Sequence, residues 1–315
     1  MKALVYTAPL QMQLLDVDAP TAKPGEVLVQ VSAVGICGSE LEGFTSQSPF
    51  RVPPLIMGHE FSGIRLDDGS PVAVNPVVSC RTCDLCMRGL ANICRHRSII
   101  GIQRPGAFAE FVAVPEINCY PLPESFPFTN AALVEPLANA AHAFRLAQGY
   151  DPSPARVGVI GAGALGFLTA LIASRRGVPT IIVSDLSEQR RGMAAGSGAT
   201  WIVDRLEGEF DVIFDAVGSA ATRHQSVDLL RPGGTAVWIG LHGPDAGADG
   251  LAVIRNEKRI LGTFCYQDQD YRAAISIAAG LSTDWVATHP LTEAVPVFLA
   301  LANGDLGHVK TVLRP

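Results

Sequence analysis

The chain has 315 residues, of which 48% are hydrophobic and 17% charged, and its formal net charge is −6. That length exceeds a typical single core and sets a prior of about two domains. The composition excludes a disordered chain, and the negative balance, with no run of Lys or Arg, excludes the footprint of a nucleic-acid partner.

The opening stretch, MKALVYTAPLQMQLLDV, reads as strand. It lacks the apolar core and cleavage site of a signal peptide, and the longest apolar runs are far too short to span a bilayer. A cytoplasmic protein with no membrane partner is expected. The first 120 residues or so show short β-branched or apolar runs broken by Gly and Pro, such as 2–6, 26–34, 71–74 and 109–114, which predicts an all-β region. The pattern changes near Asn130, where NAALVEPLANAAHAFRLAQG predicts a helix with Gly149 as its stop. Strands then alternate with helices: ARVGVIGAG, PTIIVSD, ATWIVD, FDVIFDAVG and TAVWIG as strands, with ALGFLTALIASRRG, SEQRRGMAAGSG and ATRHQSVDLLRPGG as helices. Such alternation implies an α/β unit with a parallel sheet and right-handed crossovers. From about Asp268 the chain reads helix, short extended piece, helix and a closing strand, HVKTVLRP, suited to packing back on the first region.

Gly161-Ala162-Gly163-Ala164-Leu165-Gly166 follows the apolar strand and opens a helix. In that context the spacing is a dinucleotide-binding fingerprint: the first Gly permits the tight turn, the second the approach of a pyrophosphate, the third close helix–strand packing. The helix N-terminus offers free N–H groups to the phosphates. Asp185 ends the next strand, 19 residues after Gly166. A carboxylate there accepts from the adenosine ribose hydroxyls and repels a 2′-phosphate, which favours NAD over NADP; Arg190 and Arg191 on the next helix temper that preference.

Seven cysteines are present, and four, Cys80, Cys83, Cys86 and Cys94, fall within fifteen residues. Four thiolates in one short loop suit a closed, structural zinc site. An iron–sulfur cluster and disulfide pairing are the competing uses of such a group, and the expected compartment disfavours the second. Three more pieces carry potential ligands: Cys37, the pair His59 and Glu60, and Glu135. Singly each has an ordinary structural explanation: a small buried hydrophobe, a hydrogen-bonded histidine, a helix N-terminal carboxylate. Together they supply mixed S, N and O donors, as a catalytic zinc with one open position requires.

The segments G-I-C-G-S (35–39), G-H-E (58–60), the 80–94 cysteine lobe, E-P-L-A (135–138) and the 161–166 fingerprint occur in an order that resembles the zinc-containing medium-chain dehydrogenase family. The resemblance covers nearly the whole chain. It implies a β-rich GroES-like catalytic domain built from residues 1–137 and 268–315, around a Rossmann-type doubly wound domain at 138–267, with the active site in the cleft between them. It further implies two zinc ions per chain, an NAD(P) cofactor, a small alcohol or ketone as substrate, and a homodimer or homotetramer. Cys37 and His59 would hold the catalytic zinc, with Glu60 or Glu135 as third ligand, and Ser39 would start the proton relay from the substrate hydroxyl.

The chain also departs from the family pattern. Glu40 stands where an aspartate is common, and Glu42 where many members carry the relay histidine, so the relay is expected to end on that carboxylate or on water. Phe264-Cys265-Tyr266 lacks the arginine of the polyol dehydrogenase pocket. The expected activity is hydride transfer between a secondary alcohol, polyol or sugar-like substrate and NAD(P). The competing readings are a zinc-free reductase of enones or quinones and a catalytically silent NAD-binding protein.

Overall fold

The computed structural model describes residues 1–46, 49–151, 153–245, 247–305 and 307–315. The chain forms two compact units, one from Met1–Glu135 with Gln267–Pro315, the other from Pro136–Tyr266. Among the described residues no helix is long and apolar enough to cross a membrane.

The first unit is built on antiparallel pairing. Its main sheet runs in the order Cys119–Pro121, Pro71–Val74, Glu60–Arg65, Glu26–Ile36, Lys310–Arg314 and Val286–Pro290, with Phe111–Pro115 also paired to Glu26–Ile36. The alternating burial of Glu26–Ile36 gives that strand one face in the core, as a half-buried strand requires. The closing strand does return: Thr311, Val312 and Leu313 register with Ile36, Gly35 and Val34. Helix Ala294–Ala302 supplies Phe298, fully buried and edge-on to Phe44 at 5.9 Å and to Phe108 at 5.4 Å. Three aromatic rings from remote parts of the chain thus meet in one cluster.

The second unit is a six-stranded parallel sheet in the spatial order Trp201–Val203, Thr180–Ser184, Arg156–Ile160, Phe210–Asp215, Leu230–Trp238, Arg259–Gly262. That order is the doubly wound arrangement, with the strand carrying the fingerprint at its centre and the switch point beside it. Phe210–Asp215 is buried at every position, as a strand covered on both faces must be.

The structure corrects three expectations. The first region is not all-β: helix Gly38–Thr45 follows Cys37 directly, stabilised by a capping box between Cys37 and Glu40. Its eight residues are too few for a clear 3.6-residue signal. The single helix expected at 130–149 is two, Phe128–Ala132 and Val134–Gln148. The strand expected to start at Thr235 begins at Leu230, so the Arg231–Gly234 turn signal lies inside it, where the pairing with Phe210–Asp215 shifts register.

Phe298→Ala should cost about 3–5 kcal/mol of the first unit's stability, since it empties the centre of its aromatic cluster. Chemical denaturation followed by near-UV circular dichroism reads this; a loss under about 1 kcal/mol would mean the helix is not part of that core.

Candidate metal centres and cofactor site

Cys37 directly follows the central strand of the first unit and caps helix Gly38–Thr45, while Glu60 opens the neighbouring strand and His59 immediately precedes it. Their donor atoms all lie within 4.8 Å of one another. His59 and Glu60 are buried and Cys37 half-buried. The order of the chain brings the three together because Gly35 and Glu60 are register partners in the sheet. Glu135, buried in the first turn of Val134–Gln148, falls outside that group.

Glu40 organises the cluster. One of its oxygens accepts the Cys37 backbone N–H (3.0 Å), and the other accepts the Gly58 backbone N–H (2.8 Å) and the His59 Nδ1–H (2.9 Å). This fixes the imidazole so that Nε2 faces the other donors, the arrangement that metal-bound histidines adopt. Burial pushes the Glu40 carboxyl up, but the His59 charge and hydrogen bond, the Cys37 N–H and the Arg51 guanidinium together hold it below the ordinary glutamate range. Burial likewise opposes a charge on His59, and the carboxylate of Glu40, with Cys37, outweighs it and raises the imidazole well above its usual value.

Glu60 makes a second buried ion pair, with Lys310 on the returning strand. Burial disfavours the charge on Lys310, and the carboxylate of Glu60 leads in restoring it. A Cβ at Gly35 would overlap Glu60 Oε2 and come within 3.0 Å of Lys310 Cε, so the glycine leaves the room this pair occupies.

Ser39 lies in the first turn of the helix after Cys37, its Oγ 3.4 Å from the Cys37 sulfur. Arg51 Nη2 donates to that same Oγ at 3.0 Å. Glu42, one turn on, is exposed. Sequence reasoning identified Ser39 but not Arg51, and noted Glu40 only as a departure. The capping-box spacing between Cys37 and Glu40 was the available signal for the second; nothing local marks the first.

The four-cysteine lobe is a separate centre. Its sulfurs stand 3.4 Å (Cys94–Cys80), 3.6 Å (Cys83–Cys86), 3.8 Å (Cys83–Cys94) and 4.0 Å (Cys80–Cys86) apart. A tetrahedron with metal–sulfur bonds of about 2.3 Å has edges of about 3.8 Å, so one zinc ion fits. These separations are too long for a disulfide and leave no room for several irons. Backbone N–H groups of Cys80 and His96 point at the Cys94 sulfur, which suits a thiolate. The backbone N–H groups of Thr82 and Cys83 lead in pulling the Cys80 thiol down to about 5, while burial leads in pushing Cys86 up to about 11.

In the second unit Gly161 takes φ +97°, and a Cβ on Gly166 would overlap the Gly161 carbonyl oxygen. Gly163 caps helix Ala164–Arg175 and has open space where a side chain would stand. Ala164 and Leu165 place their N–H groups at that helix N-terminus, where a pyrophosphate binds. Asp185 ties the turn together: Oδ2 accepts the Ala162 N–H and Oδ1 the Ser187 N–H, each at 2.9 Å. Arg190 Nη1 is 3.9 Å from the same carboxylate.

Comparison with known proteins agrees with this geometry. Residues 23–124 match the alcohol dehydrogenase GroES-like domain and residues 164–280 the zinc-binding dehydrogenase domain. The chain is 30% identical to L-galactonate-5-dehydrogenase of Escherichia coli (strain K12), over 92% of this chain and 91% of that protein. It is 29% identical to L-threonine 3-dehydrogenase of Rhizobium etli (strain CIAT 652), over 98% and 97%. A zinc-binding dehydrogenase from Sinorhizobium meliloti 1021, solved bound to NADP, superposes with a TM-score of 0.89 at 30% identity, covering 100% of this chain and 99% of that one. The chain belongs to the zinc-containing medium-chain alcohol dehydrogenase family. It is a zinc-dependent, NAD(P)-linked dehydrogenase.

Glu40→Gln keeps the shape of the side chain and removes its charge. It should weaken metal binding at the Cys37–His59–Glu60 group by about 10–100-fold while the four-cysteine ion stays. Zinc analysis after graded chelation should then show one equivalent leaving early; two equivalents leaving as in the parent protein would refute the assigned role.

Proposed function

We propose that this dehydrogenase oxidises a secondary hydroxyl on a polyol or sugar-like substrate, with Cys37, His59 and Glu60 as the ligands of its catalytic zinc and Cys80, Cys83, Cys86 and Cys94 holding a structural one. The observation that carries the reading is the three-donor group with the Ser39 hydroxyl against the Cys37 sulfur. L-galactonate and L-threonine, the compounds in the names of the two relatives, both present secondary hydroxyls, which supports the substrate class. Glu60 is favoured over Glu135 as third ligand because only Glu60 lies with Cys37 and His59.

When bound, the catalytic zinc would supply a Lewis acid for the substrate oxygen and NAD(P) a hydride acceptor for its carbon. The chain's own residues do the rest. Glu40 keeps the His59 Nδ1–H engaged, so the ring presents its other nitrogen. Ser39 Oγ receives the proton of the substrate hydroxyl and passes its own onward, to Glu42 or to water. Arg51, donating to that oxygen, fixes its position, while the Ser39 hydroxyl itself donates to the Cys37 sulfur. Lys310 balances Glu60, so the three donors do not carry their full negative charge alone. A zinc-free reductase would have no use for this buried donor set, which speaks against that alternative.

Asp185 at the end of its strand supports NAD over NADP, with Arg190 close enough to moderate the preference. A homo-oligomer is supported by the edge position of Arg259–Gly262, whose open side invites a covering partner; sedimentation velocity reads this directly.

Cys37→Ala should lower kcat by at least about 1000-fold, as expected when a catalytic Lewis acid loses its site, with cofactor affinity within about 3-fold of the parent. Turnover near the parent rate would refute the assignment. Asp185→Ala should lower the ratio of kcat/KM for NAD over NADP by about 10-fold or more, about 1.4 kcal/mol. An unchanged ratio would leave Asp185 a purely local tie within the turn.

A further inference from the structure

Arg51 is only 7% exposed, and its Nε is buried with no hydrogen-bond partner. Among the described residues its one hydrogen bond goes to a neutral group, Ser39 Oγ, and no carboxylate pairs with it. Glu40, an acid that feels its charge, already accepts three hydrogen bonds from Cys37, Gly58 and His59. The phenol of Tyr6, itself buried, also senses its charge. A guanidinium in that setting carries a desolvation cost that a single hydroxyl does not offset.

The packing holds it there nonetheless. Gly43, on the helix that carries Ser39, lets the arginine stem cross its face: a Cβ at that glycine would stand 2.6 Å from Arg51 Cδ. The guanidinium has five N–H donors and Ser39 uses one. Whichever Nη2 hydrogen Ser39 takes, one complete two-donor edge of the fork remains. Such an edge matches the two oxygens of a carboxylate. One positive charge also matches a monoanion, whereas a phosphate monoester would bring a second negative charge, and the nearby buried cation, Lys310, is already paired with Glu60.

We infer that Arg51 receives a carboxylate of the substrate, making this a dehydrogenase of hydroxy acids. Ser39 Oγ sits between the Cys37 sulfur at 3.4 Å and Arg51 Nη2 at 3.0 Å. The hydroxyl being oxidised and the carboxylate would therefore be held a few carbons apart, each on one side of the same serine. This rests on the proposed reading of the Cys37 site as the place where the alcohol oxygen binds.

The test uses the zinc-loaded full chain with six-carbon aldonates, the matching alditols and the alditol 1-phosphates, in the parent protein, Arg51→Gln and Arg51→Lys. Both variants are first checked for zinc content and melting temperature. The parent should favour aldonate over alditol in kcat/KM by at least about 30-fold. In Arg51→Gln that ratio should collapse by about 30-fold, the scale of one lost charge-assisted contact, and Arg51→Lys should restore part of it. Equal losses for acid and alditol would make Arg51 a positioning residue for Ser39 and overturn the proposal. An Arg51-dependent preference for the phosphates would overturn the carboxylate assignment. Thermal shift with D-gluconate gives a readout without turnover. A rise in the parent that Arg51→Gln lacks supports the carboxylate site even where no alcohol is oxidised, which would refute the proposed reaction instead. No rise in the parent, with aldonates and alditols used equally, overturns the inference.

Discussion

One carboxylate sets the geometry of the catalytic centre. Glu40 closes the first turn of its helix through Cys37, fixes the glycine before His59 through its backbone N–H, and orients the imidazole itself. Each contact involves an ionised acceptor in a buried place, where hydrogen bonds are strong and a missing partner is costly. Two segments far apart in sequence are thereby held to a common frame. Gly58 belongs to the same frame: it takes φ +98°, and a Cβ there would stand 2.7 Å from the Phe108 backbone nitrogen. The extra methylene of glutamate over aspartate lengthens the reach to three donors on two segments, which gives physical sense to the departure noted at this position.

The two metal centres show two ways of building a cation site. The four-cysteine lobe is local, with all its ligands in one loop and its charge spread over sulfurs assisted by backbone N–H groups. It needs little beyond itself to be specified, and metal binding supplies its order. The Cys37 group is assembled across a sheet, and its charge is managed from outside: Glu40 behind the histidine, Lys310 behind Glu60, Arg51 behind Ser39. That second tier of residues decides how much positive charge the site already contains before any ligand arrives.

What was legible in the sequence follows from this difference. The Cys80–Cys94 spacing and the Gly161–Gly166 fingerprint are contiguous, so their chemistry can be read from a short string, and the parallel unit followed from strands alternating with helices. The residues Cys37, His59 and Glu60 emerged only as a set and through family resemblance. Arg51 and Lys310 did not emerge at all, because an arginine in a Pro-rich loop and a lysine in the closing strand carry no local mark; their meaning lies in the partners Ser39 and Glu60. Helix Gly38–Thr45 was overlooked for the same reason, since its stability comes from a cap and a buried acid rather than from an apolar stripe.

The pairing of Lys310 with Glu60 has a consequence for how the protein is made. The sheet that carries Cys37, His59 and Glu60 lies in the early part of the chain, yet its neighbour Lys310–Arg314 is synthesised only after the whole parallel unit has been. On the ribosome the nascent first unit waits, with a carboxylate lacking its countercharge and a sheet lacking two strands, while some 130 residues of another unit emerge, a matter of roughly 10 s at typical elongation rates. The inserted unit, whose contacts are internal to one continuous segment, is free to fold first. Completion of the metal pocket therefore waits on a strand made after the inserted unit, and a nascent chain stalled before Lys310 would carry the ligands without the charge balance that makes them a site.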